Sequence, residues 1–150
     1  MFKPKKILVP VDFSDGSEIC FAKAFEIAEN AGSKIVLLHV IEKKDNELIQ
    51  MYLTKEQIEK VNKDIKEYAE KKMDSLLEQV GTGKTVDVEK RIIFGISYNE
   101  IVAATENEDF DLVIIASHGK SSMEKFFCGS TTEKVVRRAA CSVLVVKEKK

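Results

Sequence analysis

Cysteine is scarce in this chain of 150 residues. Cys20, Cys128 and Cys141 are odd in number and lack paired metal-ligand spacing, which argues against a disulfide scaffold and for free thiols in a reducing cytoplasm. Long apolar runs are missing too. No stretch approaches the roughly 20 residues needed to cross a bilayer. The opening Met-Phe-Lys-Pro-Lys-Lys lacks an apolar signal core, so a soluble, unprocessed protein without a membrane partner is expected. Charge of one sign does not accumulate: 24 basic residues nearly cancel 25 acidic ones, leaving none of the positive field that dominates non-specific nucleic-acid binding. A nucleic-acid partner is not expected.

Two familiar phosphate signatures are also lacking. The loop after the first apolar run, Asp12-Phe13-Ser14-Asp15-Gly16-Ser17-Glu18, holds one glycine and three carboxylates. It cannot supply the G-x-G-x-x-G turn of a dinucleotide fold, and its charge repels phosphate. The Walker pattern fails because Gly129 is followed by Ser130-Thr131 with no lysine.

What is present is a regular alternation. With 44% apolar residues the chain can bury one core, and a single domain over residues 1–150 is the expectation. Ile7-Leu8-Val9-Pro10-Val11 is a continuous apolar run of the kind found in a parallel strand covered on both faces. Ser14 reads as an N-cap, with Ile19, Ala22, Phe25 and Ala28 at helical spacing up to Gly32. Lys34 to Ile41 is a second buried strand. After a charged, weakly patterned stretch from Glu42 to Leu53, Thr54 and Gln57 form a capping box ahead of a long helix whose apolar stripe runs from Ile58 to Val80. Val86 to Ile93 alternates like a strand partly open to solvent. Ser97 and Glu100 mark another capping box, Leu112 to Ile115 is a fourth strand, and Val135, Val136 and Ala139 indicate a helix before the last strand, Ser142 to Val146. This pattern predicts an α/β three-layer open sandwich with a five-stranded, mostly parallel sheet.

The segment richest in chemistry lies between Ala116 and Ser130, directly after the fourth strand and before a helix, where a parallel sheet presents backbone amides to a ligand. Gly119 and Gly129 are expected to take positive φ or let the main chain approach a bound group. Ser130 falls where a new helix exposes unpaired N–H donors and a positive dipole end, an arrangement suited to phosphate. Lys120, Lys125 and His118 offer charge-assisted contacts. Asp12, at the carboxyl end of the first strand, is placed to accept hydrogen bonds from a ribose or base edge, or equally to serve as a turn residue before the first helix. His39, inside an apolar strand, reads as a packed or edge residue. No nucleophile–base pair, metal cluster or acid–base couple is apparent, so no catalytic residue is assigned.

Taken together, Ile7 to Ser14, the second strand ending His39-Val40, Asp111 to Ser121, and Gly129-Ser130 through Cys141 to Val146 resemble the universal stress protein family over essentially the whole chain. The family's nucleotide signature is a glycine, two residues, a glycine, nine residues, then glycine and serine or threonine. Gly119, nine residues and Gly129-Ser130 match it, and Ala116 stands in place of the first glycine.

The resemblance implies a Rossmann-like, adenine-nucleotide alpha-hydrolase-like sandwich that forms a homodimer, here through Val143 to Val146. In the nucleotide-binding branch it implies ATP, ADP or AMP. Pro10, Val11, Asp12 and Val40 would surround adenine and ribose. Ala116, Ser117, His118, Gly119, Gly129, Ser130 and Thr131 would hold the phosphates, at times with magnesium or manganese. Two functions stay open: a cytoplasmic adenine-nucleotide-binding regulator without rapid hydrolysis, acting as a switch in stress response, and a nucleotide-free dimer acting through protein contacts.

Overall fold

The computed structural model describes residues 1–42, 47–81, 85–118 and 129–149. Strands β1 (Lys6–Pro10), β2 (Lys34–Glu42), β3 (Val88–Gly95), β4 (Leu112–Ala116) and β5 (Ser142–Val146) alternate with helices α1 (Asp15–Ala31), α2 (Glu47–Tyr52), α3 (Lys55–Gly81), α4 (Ser97–Asn107) and α5 (Ser130–Arg138). All strand pairs are parallel, in the order β3-β2-β1-β4-β5. Central strands covered on both faces need apolar side chains at every position. Leu112–Ala116 is accordingly buried throughout, as are Ile7, Leu8 and Val9 in β1.

Because successive side chains point to opposite faces, each strand feeds two cores. Ile7, Val9, Ile35, Leu37 and Ile114 join Phe21, Ala24, Met73 and Leu76 from α1 and α3. Leu8, Val36, Val113 and Ile115 join Ile101 and Val135 from α4 and α5. The result is the three-layer arrangement that the alternation predicts, with every strand parallel.

Local signals explain the boundaries. The Ser14 hydroxyl accepts from the Ser17 N–H at 3.3 Å, and α1 ends at Gly32, whose φ of 72° only glycine adopts without strain while its N–H reaches Ala28 O. The capping box of α3 forms in both directions: Gln57 N–H to Thr54 Oγ1 at 3.2 Å and Thr54 N–H to Gln57 Oε1 at 2.9 Å.

Three expectations need correcting. The stretch from Glu42 to Leu53 contains a short helix, α2, too brief for a periodic signal. Strand β3 starts and ends two residues later than the alternation suggests, because Ile35 N–H pairs with Asp87 O and sets its register from there. Ser97 is the first residue of α4 rather than its cap; Ile96 occupies the cap without a side-chain hydrogen bond, and the Ser97 N–H turns to Glu42 Oε1.

Linking β3 and β1 to the end of α4, Arg91 donates to Glu108 at 2.5 Å and to Glu89 at 2.7 Å, and Lys6 reaches Glu108 at 2.8 Å. The Arg91 and Lys6 hydrogen bonds hold the Glu108 carboxyl at about 2, well under its ordinary 4.5. A depressed native value means that the network's stabilisation is complete above the unfolded value and is lost as pH falls through the native one. With Glu108 31% exposed, solvent screening limits the gain to about 1 kcal/mol. Glu108→Gln is therefore expected to lower unfolding free energy by about 1 kcal/mol at pH 7, and by progressively less from pH 4.5 down to 2. Urea titrations of both proteins across that range check it; a constant difference would contradict it.

Candidate functional site

After β1 the chain turns to β2 and β3 on one side, then returns to place β4 and β5 on the other, so the strand order reverses between β1 and β4. Ligands of open parallel sheets sit in the crevice outside the carboxyl ends at such a reversal. Pro10 at the end of β1 with Val11 and Asp12 after it, and Ala116 at the end of β4 with Ser117 and His118 after it, come to this end of the sheet, because β1 and β4 are hydrogen-bonded neighbours. Val40 follows on β2, half-buried.

The β1 side is held in an unusual shape. The Val11 N–H donates to Leu38 O at 2.8 Å, and its carbonyl lies 2.7 Å from His39 Nδ1. A carbonyl only accepts, so Nδ1 carries the proton and fixes the tautomer. The His39 ring also packs on Phe13, with centroids 4.4 Å apart. His39 is thus a packed residue, as its place in an apolar strand suggests, but its work is to brace the tip of β1. Phe13 has φ 63°, a conformation unfavourable for a bulky side chain and characteristic of functional sites. Asp12 Oδ1 accepts from the Ser14 N–H at 3.0 Å and the Ser14 hydroxyl at 2.5 Å, so the turn role and a place at the crevice mouth coexist.

On the β4 side two hydrogen bonds tie the end of the strand to the start of α5. Gly129 N–H donates to Ser117 O at 2.7 Å, and the buried Thr132 hydroxyl donates to Ala116 O at 2.7 Å. The Ser117 N–H is bonded to Val146 O at 3.0 Å, anchoring the same segment to β5. The first intrahelical bond of α5 runs from Glu133 N–H to Gly129 O, and no side chain among the described residues caps the helix. The N–H groups of Ser130, Thr131 and Thr132 therefore have no intrahelical acceptor and face the crevice end with the positive pole of the helix.

Gly129 occupies the cap with φ −60°, so the expected positive φ is not used there; an extended cap residue leads into the helix instead. Ser130 is accordingly the first helical residue. Gly119, Lys120, Lys125 and Cys128 lie outside the described residues.

Ala116 was the departure from the nucleotide signature, and its methyl does not enter the crevice. The side chain belongs to the α1-side core, is 9% exposed, and faces Gly16, where a Cβ would lie 3.2 Å from it. Among the described residues Phe13 alone combines a side chain with positive φ, so alanine is unstrained at 116.

His118 Nδ1 lies 2.9 Å from the Ser117 hydroxyl, whereas Nε2 is buried with no hydrogen-bond partner among the described residues. Buried polar atoms are rarely left unpaired, so this nitrogen calls for a partner beyond the described residues. Cys20 is fully buried, and burial first, then Asp12 and Glu148, push its thiol up to about 12, which removes it as a nucleophile. A separate groove of about 520 Å³ is lined by Tyr98, Asn99, Val102, Ala103 and Glu106 of α4 and by Arg138 at the end of α5.

Sequence reasoning missed Thr132 and Gly16. Thr132 had a readable signal as a third hydroxyl in the first turn of α5. Gly16 had none without the fold.

Comparison with known proteins adds an independent line. A family model described as the universal stress protein family matches residues 3–147. Universal stress protein MJ0577 of Methanocaldococcus jannaschii is 34% identical, the match spanning 97% of this chain and 96% of that one. A solved structure of MJ0577 superposes with a TM-score of 0.81 at 32% identity, covering 99% of both chains. The fold is shared with a universal stress protein in complex with cAMP, at 19% identity, a TM-score of 0.71 and coverage of 97% and 98%.

Proposed function

This chain belongs to the universal stress protein family, and we propose that it is an adenine-nucleotide-binding module, with the nucleoside against the tip of β1 and the phosphates on the first turn of α5. One observation carries the reading: at the point where the strand order reverses, the amides of Ser130, Thr131 and Thr132 have no acceptor within α5, and His118 Nε2 is buried without a hydrogen-bond partner among the described residues. Amides and a positive helix pole stabilise phosphate oxygens, and Asp12 and Val40 stand where ribose and base would lie. The fold relative that holds cAMP, itself an adenine nucleotide, supports the same ligand class.

Ser117 and His118 form an adjacent hydroxyl–imidazole pair, but among the described residues no carboxylate orients the far nitrogen, as an activated nucleophile requires. We therefore read the pair as facing the ligand, with turnover absent or slow, and the protein as a stress-response regulator in the cytoplasm. No group of three or more His, Cys, Asp or Glu among the described residues gathers to hold a metal ion, so magnesium or manganese would arrive with the phosphates. Among the described residues no helix is long and apolar enough to cross a membrane.

Calorimetric titration with ATP, ADP, AMP and cAMP tests the proposal. Saturable one-site binding of at least one is expected; no heat from any, with no nucleotide carried through purification, would favour the nucleotide-free reading.

The homodimer proposed through residues 143–146 also has a physical basis. Edge β3 carries Glu89, Lys90 and Arg91, charges that discourage pairing, whereas edge β5 after Ser142 is wholly apolar. Val146 O points to β4, so the backbone groups of Val143 and Val145 point outward. Val145→Pro removes one outward N–H and leaves the inner ladder intact. Light scattering is expected to show a dimer for the parent and a monomer for the variant; a parent that stays monomeric would contradict the interface.

A further inference from the structure

Gly16, in the first turn of α1, has no side chain to reach the crevice, and the space it leaves empty borders the end of β4. A Cβ at position 16 would stand 3.2 Å from the Ala116 Cβ, 3.7 Å from the His118 carbonyl oxygen and 2.9 Å from Glu148 Oε1. Glu148 is exposed and its carboxylate can swing aside. Ala116 has less freedom, being buried at the end of a strand held on one side by β5. Carbon atoms at 3.2 Å are inside ordinary contact distance, so one of the two chains must shift by a few tenths of an ångström.

We infer that Gly16 is a positioning residue for the anion site: its missing side chain makes room for the Ala116 methyl and so keeps the main chain of Ala116 to His118 in register with the start of α5. The route is short. Displacing Ala116 moves its carbonyl, to which Thr132 is bonded, and the Ser117 carbonyl, to which the Gly129 amide is bonded. Both bonds set where the Ser130, Thr131 and Thr132 amides point. One methyl is tolerated between positions 16 and 116 and two are not, which explains how a chain with alanine at the first signature position keeps its crevice open. This rests on the proposed nucleotide reading.

The test is a cycle of Gly16→Ala with and without Ala116→Gly, titrated with ATP, AMP and adenosine and accompanied by thermal unfolding. Gly16→Ala is expected to weaken ATP and AMP about five- to tenfold while adenosine changes less than twofold, since misplaced amides are felt by phosphate and not by the nucleoside. Adding Ala116→Gly is expected to restore ATP affinity to within twofold of the parent. Equal losses for all three ligands, unchanged ATP affinity in Gly16→Ala, or a loss that Ala116→Gly does not relieve would overturn the inference. A parent that binds none of the three would instead overturn the nucleotide reading itself.

Discussion

Gly129→Asp is expected to abolish nucleotide binding, by at least a hundredfold, while leaving the fold as stable as the parent or slightly more so. Gly129 sits at the cap of α5 with φ −60° and ψ 159°, a conformation open to any residue, and the helix has no side-chain cap. Aspartate is among the preferred cap residues, its carboxylate accepting from the second or third amide of the helix and complementing the positive pole. That gain is on the order of a few tenths of a kcal/mol, because glycine is itself an acceptable cap. The same carboxylate would occupy the donors assigned to phosphate and set a negative charge against it. Opposite movement of stability and affinity separates this account from simple misfolding. Calorimetry and thermal unfolding on one preparation check it, and undiminished ATP affinity would move the phosphates elsewhere.

Phe21→Ala is expected to have the largest effect on stability, about 3–5 kcal/mol. Phe21 is fully buried on α1 and meets Phe25 edge to face, with ring centroids 6.1 Å apart. Truncation removes the transfer free energy of the ring and leaves a cavity between α1 and the sheet that packed neighbours fill only in part. Because α1 also carries the Ser14 cap and Gly16, loosened packing there should weaken nucleotide affinity as well. Urea unfolding measures the first effect, and a loss below about 1 kcal/mol would mean that this core is less tightly packed than described.

The legibility of this chain followed the range of the interactions involved. Continuous apolar runs announced β1, β2 and β4 because a buried parallel strand tolerates nothing else, and Ser14, Gly32 and the Thr54–Gln57 box were readable because capping is local chemistry. Strand β3 and the start of α4 were misplaced by one or two residues because Asp87 O and Glu42 Oε1, distant in sequence from their partners, fix those ends. The stripe on α3 also promised more burial than it delivers. A helix of 27 residues is about 40 Å long, well beyond a short strand, so Ala69, Met73 and Leu76 are buried while Val61 and Ile65 stand exposed.

The site was legible as composition and not as geometry. Its glycine and hydroxyl residues were visible in order, but the consequence of Ala116 depended on the methyl's direction. That is set by strand parity and by an absent side chain one hundred positions earlier. The His118 orphan and the Thr132 anchor likewise emerge only when β4 and α5 are brought together.

Amide chemical shifts of the 15N-labelled protein during titration with ATP would test the central claim most directly. The account predicts the largest changes at Ser130, Thr131 and Thr132, accompanied by Val11, Asp12 and the Ser117–His118 pair. Saturating ATP that leaves these amides unmoved, or that perturbs only the outer face of α4, would contradict it.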